Sequence, residues 1–384
     1  MAMDENLVDE LQPAQKIERA GDAGFLWDFL YPAARSVEIR GRGLVKAMLL
    51  EVPLVLGRTD EGKAFAMRDA CPHRGIPLSY GRFDGKNLEC CYHGWKFDGC
   101  SGQCVEIPSL TSQDKLRVER IFAGHYPCVE NDGYIWVFMN QSENRPPQKA
   151  AATKAEDAAR ASDAVAAAPK LATFSEKYRS THLACDLPSH IDHGIIGLMD
   201  PAHGPFVHQS WFWRSKKSIH EKAKQFEPIP YGFRMSTHSP STNSAPYQLL
   251  KKMTGAPVTT TIDFILPNMR TEEIRSGKLW FSSLTTVTPV RRDLSRIDFV
   301  AAWNVPLPVT VFRSFAKKFL RQDQETMIQQ AEGLKHNPKL MLIDDADRPA
   351  KWYFALKANL IEARRTGAEM VHPMEGPVTL RWRS

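Results

Sequence analysis

The chain of 384 residues contains no run of 18 or more apolar residues. It therefore offers no sequence that reads as a transmembrane helix, which needs roughly 20. Its opening stretch, MAMDENLVDELQPAQ, is acidic and polar and lacks the basic start and apolar centre of a secretory leader. The reading is a cytoplasmic protein. An excess of one charge is also missing: 50 Lys and Arg stand against 44 Asp and Glu, a net +6. The basic residues are scattered, apart from short pairs such as Lys216–Lys217 and Arg291–Arg292. Such a distribution is a solvated surface, with an acidic protein partner as the sharper alternative. No nucleic-acid motif accompanies it, and there is no internal repeat. The seven cysteines, at 71, 90, 91, 100, 104, 128 and 185, are odd in number. In a reducing compartment this argues against a disulfide framework and for metal ligation by some of them.

What is present divides by texture. Apolar residues make up 43% of the chain, enough for a packed core. Residues 1 to about 22 read as a polar helix, within an N-terminal helical segment, 1–36, that packs on the C-terminal domain. Over 37–141 the runs SVEIRG, KAMLLEVPLVLGR, KAFAMRDA and GYIWVFM, separated by turns such as TDEGK and FDGK, predict a small all-β domain. Residues 142–170, rich in Ala, Lys, Asp and Pro, read as a linker or a loose surface helix. Over 171–384, the segments VTTTIDFILP, KLWFSSLTTVTP and RIDFVAAWNVP predict strands. RSFAKKFLRQDQETMIQQAEGLK and DRPAKWYFALKANLIEARR have the 3.6 period of amphipathic helices. The fold class is α+β: an antiparallel sheet flanked by helices, preceded by an all-β domain.

Two stretches carry chemistry. ACPHRG (70–75) and CCYHGWKF (90–97) supply Cys71, His73, Cys90 and His93. In a C2H2 zinc finger the cysteines form one pair and the histidines another, on a helix. Here each pair holds one of each, on turns between strands. That interleaving suits a two-iron cluster with cysteines on one iron and histidines on the other, the Rieske arrangement; structural zinc is the alternative. Gly75 and Gly94 let backbone amides approach the sulfurs, and Trp95 shields the cluster. Cys91 reads as a bystander thiol, and Cys100 and Cys104 as free thiols.

The second stretch is GLMDPAHGPFVH (197–208). Asp200 and His203 are i and i+3 and share a face if the segment is helical. Gly204–Pro205 then breaks the helix, so that His208 turns back toward His203. Two imidazoles and a carboxylate make a facial triad for non-heme iron. Structural histidines are the bland alternative, weakened by the preceding cluster, which needs an electron acceptor. His190 and His193 compete from the same helix and read as supporting or surface residues. For the carboxylate, Asp323 shares a helix face with Phe319, Leu320, Met327 and Gln330, whereas Glu325 shares one with Arg321, Gln322, Gln329 and Glu332. A carboxylate on an apolar stripe needs a partner or a metal, which favours Asp323. A salt bridge to Arg321 or a lysine is the alternative partner, and Asp344, Asp345 and Asp347 are fallback ligands.

These residues together resemble the oxygenase component of Rieske non-heme iron oxygenases, over essentially the whole chain. The resemblance is nearest the homo-oligomeric branch that includes vanillate and dicamba demethylases. It implies a [2Fe-2S] Rieske cluster, a mononuclear Fe(II) at His203, His208 and Asp323, a ferredoxin or NAD(P)H-dependent reductase as partner, and a helix-grip catalytic domain. It also implies a head-to-tail homotrimer in which Asp200 bridges His203 to His93 of the neighbouring subunit. The implied reaction is O2-dependent hydroxylation or demethylation of an aromatic or related small molecule. The alternatives are cis-dihydroxylation and a non-enzymatic electron carrier fused to a ligand-binding domain. Gly197 stands where many members have Asn, and Cys91 where proline is common. Trp211, Trp213, Phe264 and Trp280 are candidate pocket walls.

Overall fold

The computed structural model describes residues 24–141, 155–208, 219–239 and 245–384. The described residues divide into two compact units, one within 27–170 with 289–291, the other within 171–288 and 292–384 with 24–26.

The first unit is all-β around its core, with three small sheets. One joins β1 (Phe29–Arg35), β11 (Tyr134–Met139) and β10 (Cys128–Asn131) in that order. A second runs β2 (Val45–Leu49), β3 (Val52–Arg58), β4 (Ala64–Arg68), β9 (His125–Tyr126). The third runs β5 (Arg82–Phe83), β6 (Asn87–Glu89), β7 (Lys96–Asp98), β8 (Cys104–Glu106). All of β11 is buried, as its unbroken apolar text YIWVFM requires of a strand covered on both faces. Helix α1 (Ala155–Ala166) lies against β1 and β11.

Two expectations change here, and a third is resolved. The helical segment over 1–36 does not extend to its end, because FLYPAAR is a strand paired with β11, Phe29 opposite Met139. Its middle five residues are buried, which a polar surface helix cannot supply. Residues 1–23 of that expectation lie outside the described residues. SVEIRG is not a strand: Ser36–Glu38 is one 3-10 turn, closed by the Arg35 N–H donating to the Glu38 carboxylate at 3.0 Å. Of the linker at 142–170, residues 142–154 lie outside the described residues, and the alanine-rich part is α1, as alanine's propensity favours.

The second unit is built on one antiparallel sheet of eight strands. They are β12 (Arg179–Leu187), β13 (Glu221–Ile229), β14 (Gly232–His238), β15 (Thr259–Ile265), β16 (Met269–Ser276), β17 (Leu279–Arg291), β18 (Leu294–Trp303) and β19 (Val378–Arg383), in the spatial order β12-β18-β17-β16-β15-β14-β13-β19. Its helices are α2 (Ile191–Met199), α3 (Gly204–Val207), α4 (Ala245–Thr254), α5 (Val309–Leu334) and α6 (Arg348–Thr366). Helix α5 lies along β12, and α2 packs on α6 and β18. Phe281 of β17 meets Phe312 of α5 with ring centres 5.5 Å apart. A Cβ on Gly194 would stand 2.7 Å from Val287 Cγ1, so only glycine lets α2 approach the sheet this closely. Odd-numbered residues of β17 thus face the helices, and even-numbered ones face away.

Helix α2 is anchored by buried charge. The Asp192 carboxylate accepts from the Lys357 ammonium at 2.7 and 2.9 Å and from the Tyr353 hydroxyl. Asp192 and Lys357 are both almost fully buried.

Candidate metal centres

Two loops of the first unit repeat one backbone design. In the first, the Cys71 N–H donates to Ile76 O at 2.8 Å and Gly75 N–H to Cys71 O at 2.8 Å. In the second, Cys90 N–H donates to Trp95 O at 2.8 Å and Gly94 N–H to Cys90 O at 3.0 Å. Each turn closes on a glycine with positive φ, +73° at Gly75 and +70° at Gly94, a region open to glycine at no steric cost. The second loop connects β6 to β7. The first is tied down where Asp69 accepts from the Ser79 N–H at 2.7 Å and its hydroxyl at 2.6 Å.

The loops bring the four expected residues together. Cys71 and Cys90 are buried in one apolar cluster with Leu78, Leu88 and Phe97. The rings of His73 and His93 lie 4.5 Å apart, and Trp95 stacks on His73 at 4.6 Å. Burial pushes the Cys71 thiol up to about 11; the backbone N–H of His73 pulls the other way, and the adjoining Cys90 adds to the rise. Two buried sulfurs side by side ionise together only around a cation. Burial, His93 and Arg74 hold His73 below its ordinary value, so it presents a neutral ring nitrogen. The donor set therefore fits a metal cluster. The amides that reach the Cys71 sulfur are those of His73 and Arg74, whereas those of Gly75 and Gly94 close the turns. Cys91 is exposed, and Cys100 and Cys104 are unbridged.

In the second unit, His203, His208 and Asp323 converge, each offering one ligand atom within 4.8 Å of the others. The Nε2 atoms of the two histidines are 3.2 Å apart, and His208 Nε2 is 3.1 Å from Asp323 Oδ1. Each Nε2 is aimed by its opposite nitrogen. His203 Nδ1 lies 2.9 Å from the Asp200 carbonyl, which can only accept, so Nδ1 donates. His208 Nδ1 donates likewise to Gln322 Oε1 at 3.2 Å. Two lone pairs and a carboxylate then face one point, an arrangement that repels unless a cation holds it. Burial lowers the pKa of His203, but the Asp200 and Asp323 carboxylates outweigh it and leave a net rise. Phe319 stacks on His208 at 4.6 Å.

The local route differs from the sequence reading. Helix α2 already ends at Met199, with Asp200 capping it and Pro201 unable to continue it. Gly204–Pro205 does not break a helix but opens the short α3, where proline suits the first turn. Asp200 still meets His203, its Oδ2 3.6 Å from Nδ1. His190 caps the start of α2, its ring accepting from the Asp192 N–H. Glu325 pairs with Arg321 at 2.9 Å. Asp344 takes Arg348, while Asp345 and Asp347 accept from the N–H groups of Arg381 and Ile343.

Gln322 escaped the sequence reading, since it lies 114 residues from the histidine it touches. Gln322→Leu is expected to weaken metal retention by His208, roughly 10–100-fold for a partner of a ligand. Iron titration of the variant checks this; unchanged affinity would make the contact incidental.

Of the candidate pocket residues, Trp211 and Trp213 lie outside the described residues. Phe264 is buried and lines a small apolar cavity with Leu198 and Met199 of α2 and Tyr353 of α6. Trp280 falls on the even face of β17, away from α5, its indole N–H donating to Ser175 Oγ at 3.1 Å. Strand alternation thus sets it opposite the face that Phe281 shares with the helices.

Comparison with known proteins separates the two units. Residues 29–121 match the Rieske [2Fe-2S] domain family. Among curated relatives, the 3-chlorobenzoate-3,4-dioxygenase oxygenase subunit of Comamonas testosteroni is 36% identical over 124 residues, 32% of this chain and 28% of that protein. The chain spans about a third or less of the length of the first such relatives it matches. Two solved structures match nearly throughout. Pseudomonas putida CBB5 NdmA with caffeine has a TM-score of 0.68 at 18% identity, covering 88% of this chain and 92% of that one. Dicamba monooxygenase bound to dicamba has a TM-score of 0.64 at 19% identity, covering 89% and 100%. Among the described residues no helix is long and apolar enough to cross a membrane.

Proposed function

We propose, for a chain that carries a Rieske [2Fe-2S] domain and shares the fold of dicamba monooxygenase and NdmA, that it is the terminal oxygenase component of a multicomponent Rieske system. The reaction is hydroxylation of an aromatic or related small organic molecule, with demethylation as the outcome where the attacked carbon is an O- or N-methyl group. The observation that carries this reading is the convergence of His203, His208 and Asp323 within 4.8 Å. An electron carrier has no use for that arrangement.

Held there, the two metal groups would supply single-electron storage and dioxygen activation. The chain's own residues do the rest. Cys71, Cys90, His73 and His93 are the cluster's donors, on loops whose shape the two glycines set. The Asp200 carbonyl and Gln322 take the Nδ1 protons and point both Nε2 atoms inward. Asp200 Oδ1 is itself fixed by the Ala202 N–H at 2.6 Å. Phe319 keeps water from one face of His208. In the proposed head-to-tail homotrimer, Asp200 also links His203 to the His93 side chain of a neighbouring copy. The electron source is a ferredoxin or NAD(P)H-dependent reductase, and the proposed compartment is the cytoplasm.

The test is substrate-dependent O2 uptake with a surrogate reductase and ferredoxin over a panel of aromatic compounds, under labelled O2. One labelled atom in a hydroxylated product, or an unlabelled demethylated product with one equivalent of formaldehyde, establishes monooxygenation, and two in a diol establish cis-dihydroxylation. A cluster that is reduced and reoxidised normally, with no compound stimulating uptake, would favour the electron carrier.

A further inference from the structure

The register of the second unit's sheet places an ion pair on its helix-facing surface. In antiparallel strands, directly opposite residues share a face. Phe233, Phe264, Arg270 and Thr285 stand in one row across β14 to β17, and Met235, Ile262, Glu272 and Ser283 in the next. Thr285 and Ser283 are odd-numbered residues of β17, on the side of Phe281 and Val287. Phe233 and Phe264 line the apolar cavity with Leu198 and Met199, the two residues that lead into Asp200 and the metal-ligand segment. Arg270 and Glu272 are thus aimed at the layer between the sheet and the helices that carry His203, His208 and Asp323.

The pair is odd for such a place. The two side chains are 19% and 20% exposed, and Arg270 Nη1 meets Glu272 Oε2 at 3.0 Å. The guanidinium also lies 5.9 Å from the centre of the Phe264 ring. Taking both charges out of water costs several kcal/mol, and apolar residues of the same volume are often no less stable. A guanidinium has five N–H donors in a planar fork suited to a carboxylate. Small-molecule sites combine apolar walls with a few placed polar groups, and the two rows supply both, Phe233, Phe264, Met235 and Ile262 beside Arg270, Glu272, Thr285 and Ser283.

Building on the oxygenase reading, we propose that Arg270 is the specificity residue for a substrate bearing a carboxylate or an equivalent planar anion. Glu272 holds the guanidinium in place while the pocket is empty and yields to the substrate's anion. The aromatic or apolar body of that substrate lies along Phe264 and Phe233, toward Leu198.

The test uses the purified full-length protein and a panel of aromatic carboxylates of one to four rings, each beside its uncharged primary amide, with binding followed by calorimetry. At least one carboxylate is expected to bind, its amide weaker by about tenfold or more, as loss of a charged hydrogen bond implies. Arg270→Gln should abolish that preference, while Glu272→Gln should strengthen carboxylate binding by removing a competing anion. Amides that bind as well as acids, a preference that survives Arg270→Gln, or no carboxylate bound at all would each overturn the assignment. Iron content and near-ultraviolet circular dichroism on the same samples keep the readings apart. Loss of selectivity with full iron speaks to Arg270, whereas a protein that never holds the third iron speaks against the oxygenase.

Discussion

Cys90→Ser is expected to yield a chain with no acid-labile sulfide and no visible absorption from the cluster. Serine matches cysteine in shape but does not ionise near neutral pH, and thiolate character is what holds iron. Cys90 is also part of the first unit's core, 2% exposed among Leu78, Leu88 and Phe97. Metal binding of this kind is coupled to folding, so the variant should also melt at lower temperature. Cys91→Ser is the matched control. Its thiol is exposed, and full sulfide content is expected. A variant at Cys90 that keeps its cluster, or one at Cys91 that loses it, would mean that the ligand is misassigned.

Lys357→Met is expected to destabilise the second unit by about 3–5 kcal/mol, the cost of stranding a buried charge. The stranded group is Asp192, 4% exposed. Burial pushes its pKa up, but hydrogen bonds and charge from His190 and Lys357 outweigh this and hold the carboxyl well below its usual range. A carboxylate whose folded value is depressed contributes stability above its unfolded value, about 3.9. That contribution falls away as pH drops further toward the folded value. The melting temperature of the parent should therefore hold from neutral pH to about pH 4 and fall below it, while Asp192→Asn flattens this dependence. The double variant Asp192→Leu with Lys357→Met should recover most of the loss. Equal instability of single and double variants would show that packing, and not charge, anchors α2. Because α2 leads directly into Asp200 and His203, the single variant should also retain less iron at the second site.

How much was legible in the sequence follows the range of the interactions. The cluster loops were readable because each is a turn closed within six residues, and turn chemistry is local. Asp323 was readable because a helix repeats every 3.6 residues, so the company a carboxylate keeps is written beside it. The strand at Phe29–Arg35 was not readable, because its partner β11 lies about a hundred residues away. Gly204–Pro205 has the composition of a helix breaker, but α2 ends earlier, at Met199, and the chain turns at Pro201. Gln322 touches His208 across 114 residues, and Lys357 touches Asp192 across 165; no local pattern marks either pair. Trp280 was drawn toward the pocket by its type alone. Its side was decided by the phase of β17, fixed only where Phe281 and Val287 meet the helices.

A second metal besides the cluster is what separates an oxygenase from an electron carrier. The most direct test is iron and acid-labile sulfide on anaerobically purified protein, for the parent and for His203→Ala. The parent should hold about three irons and two sulfides per chain, two irons from the cluster and one from the facial triad. His203→Ala should lose one iron and keep both sulfides. Two irons in parent and variant alike, under saturating Fe(II), would contradict the oxygenase reading and leave an electron carrier.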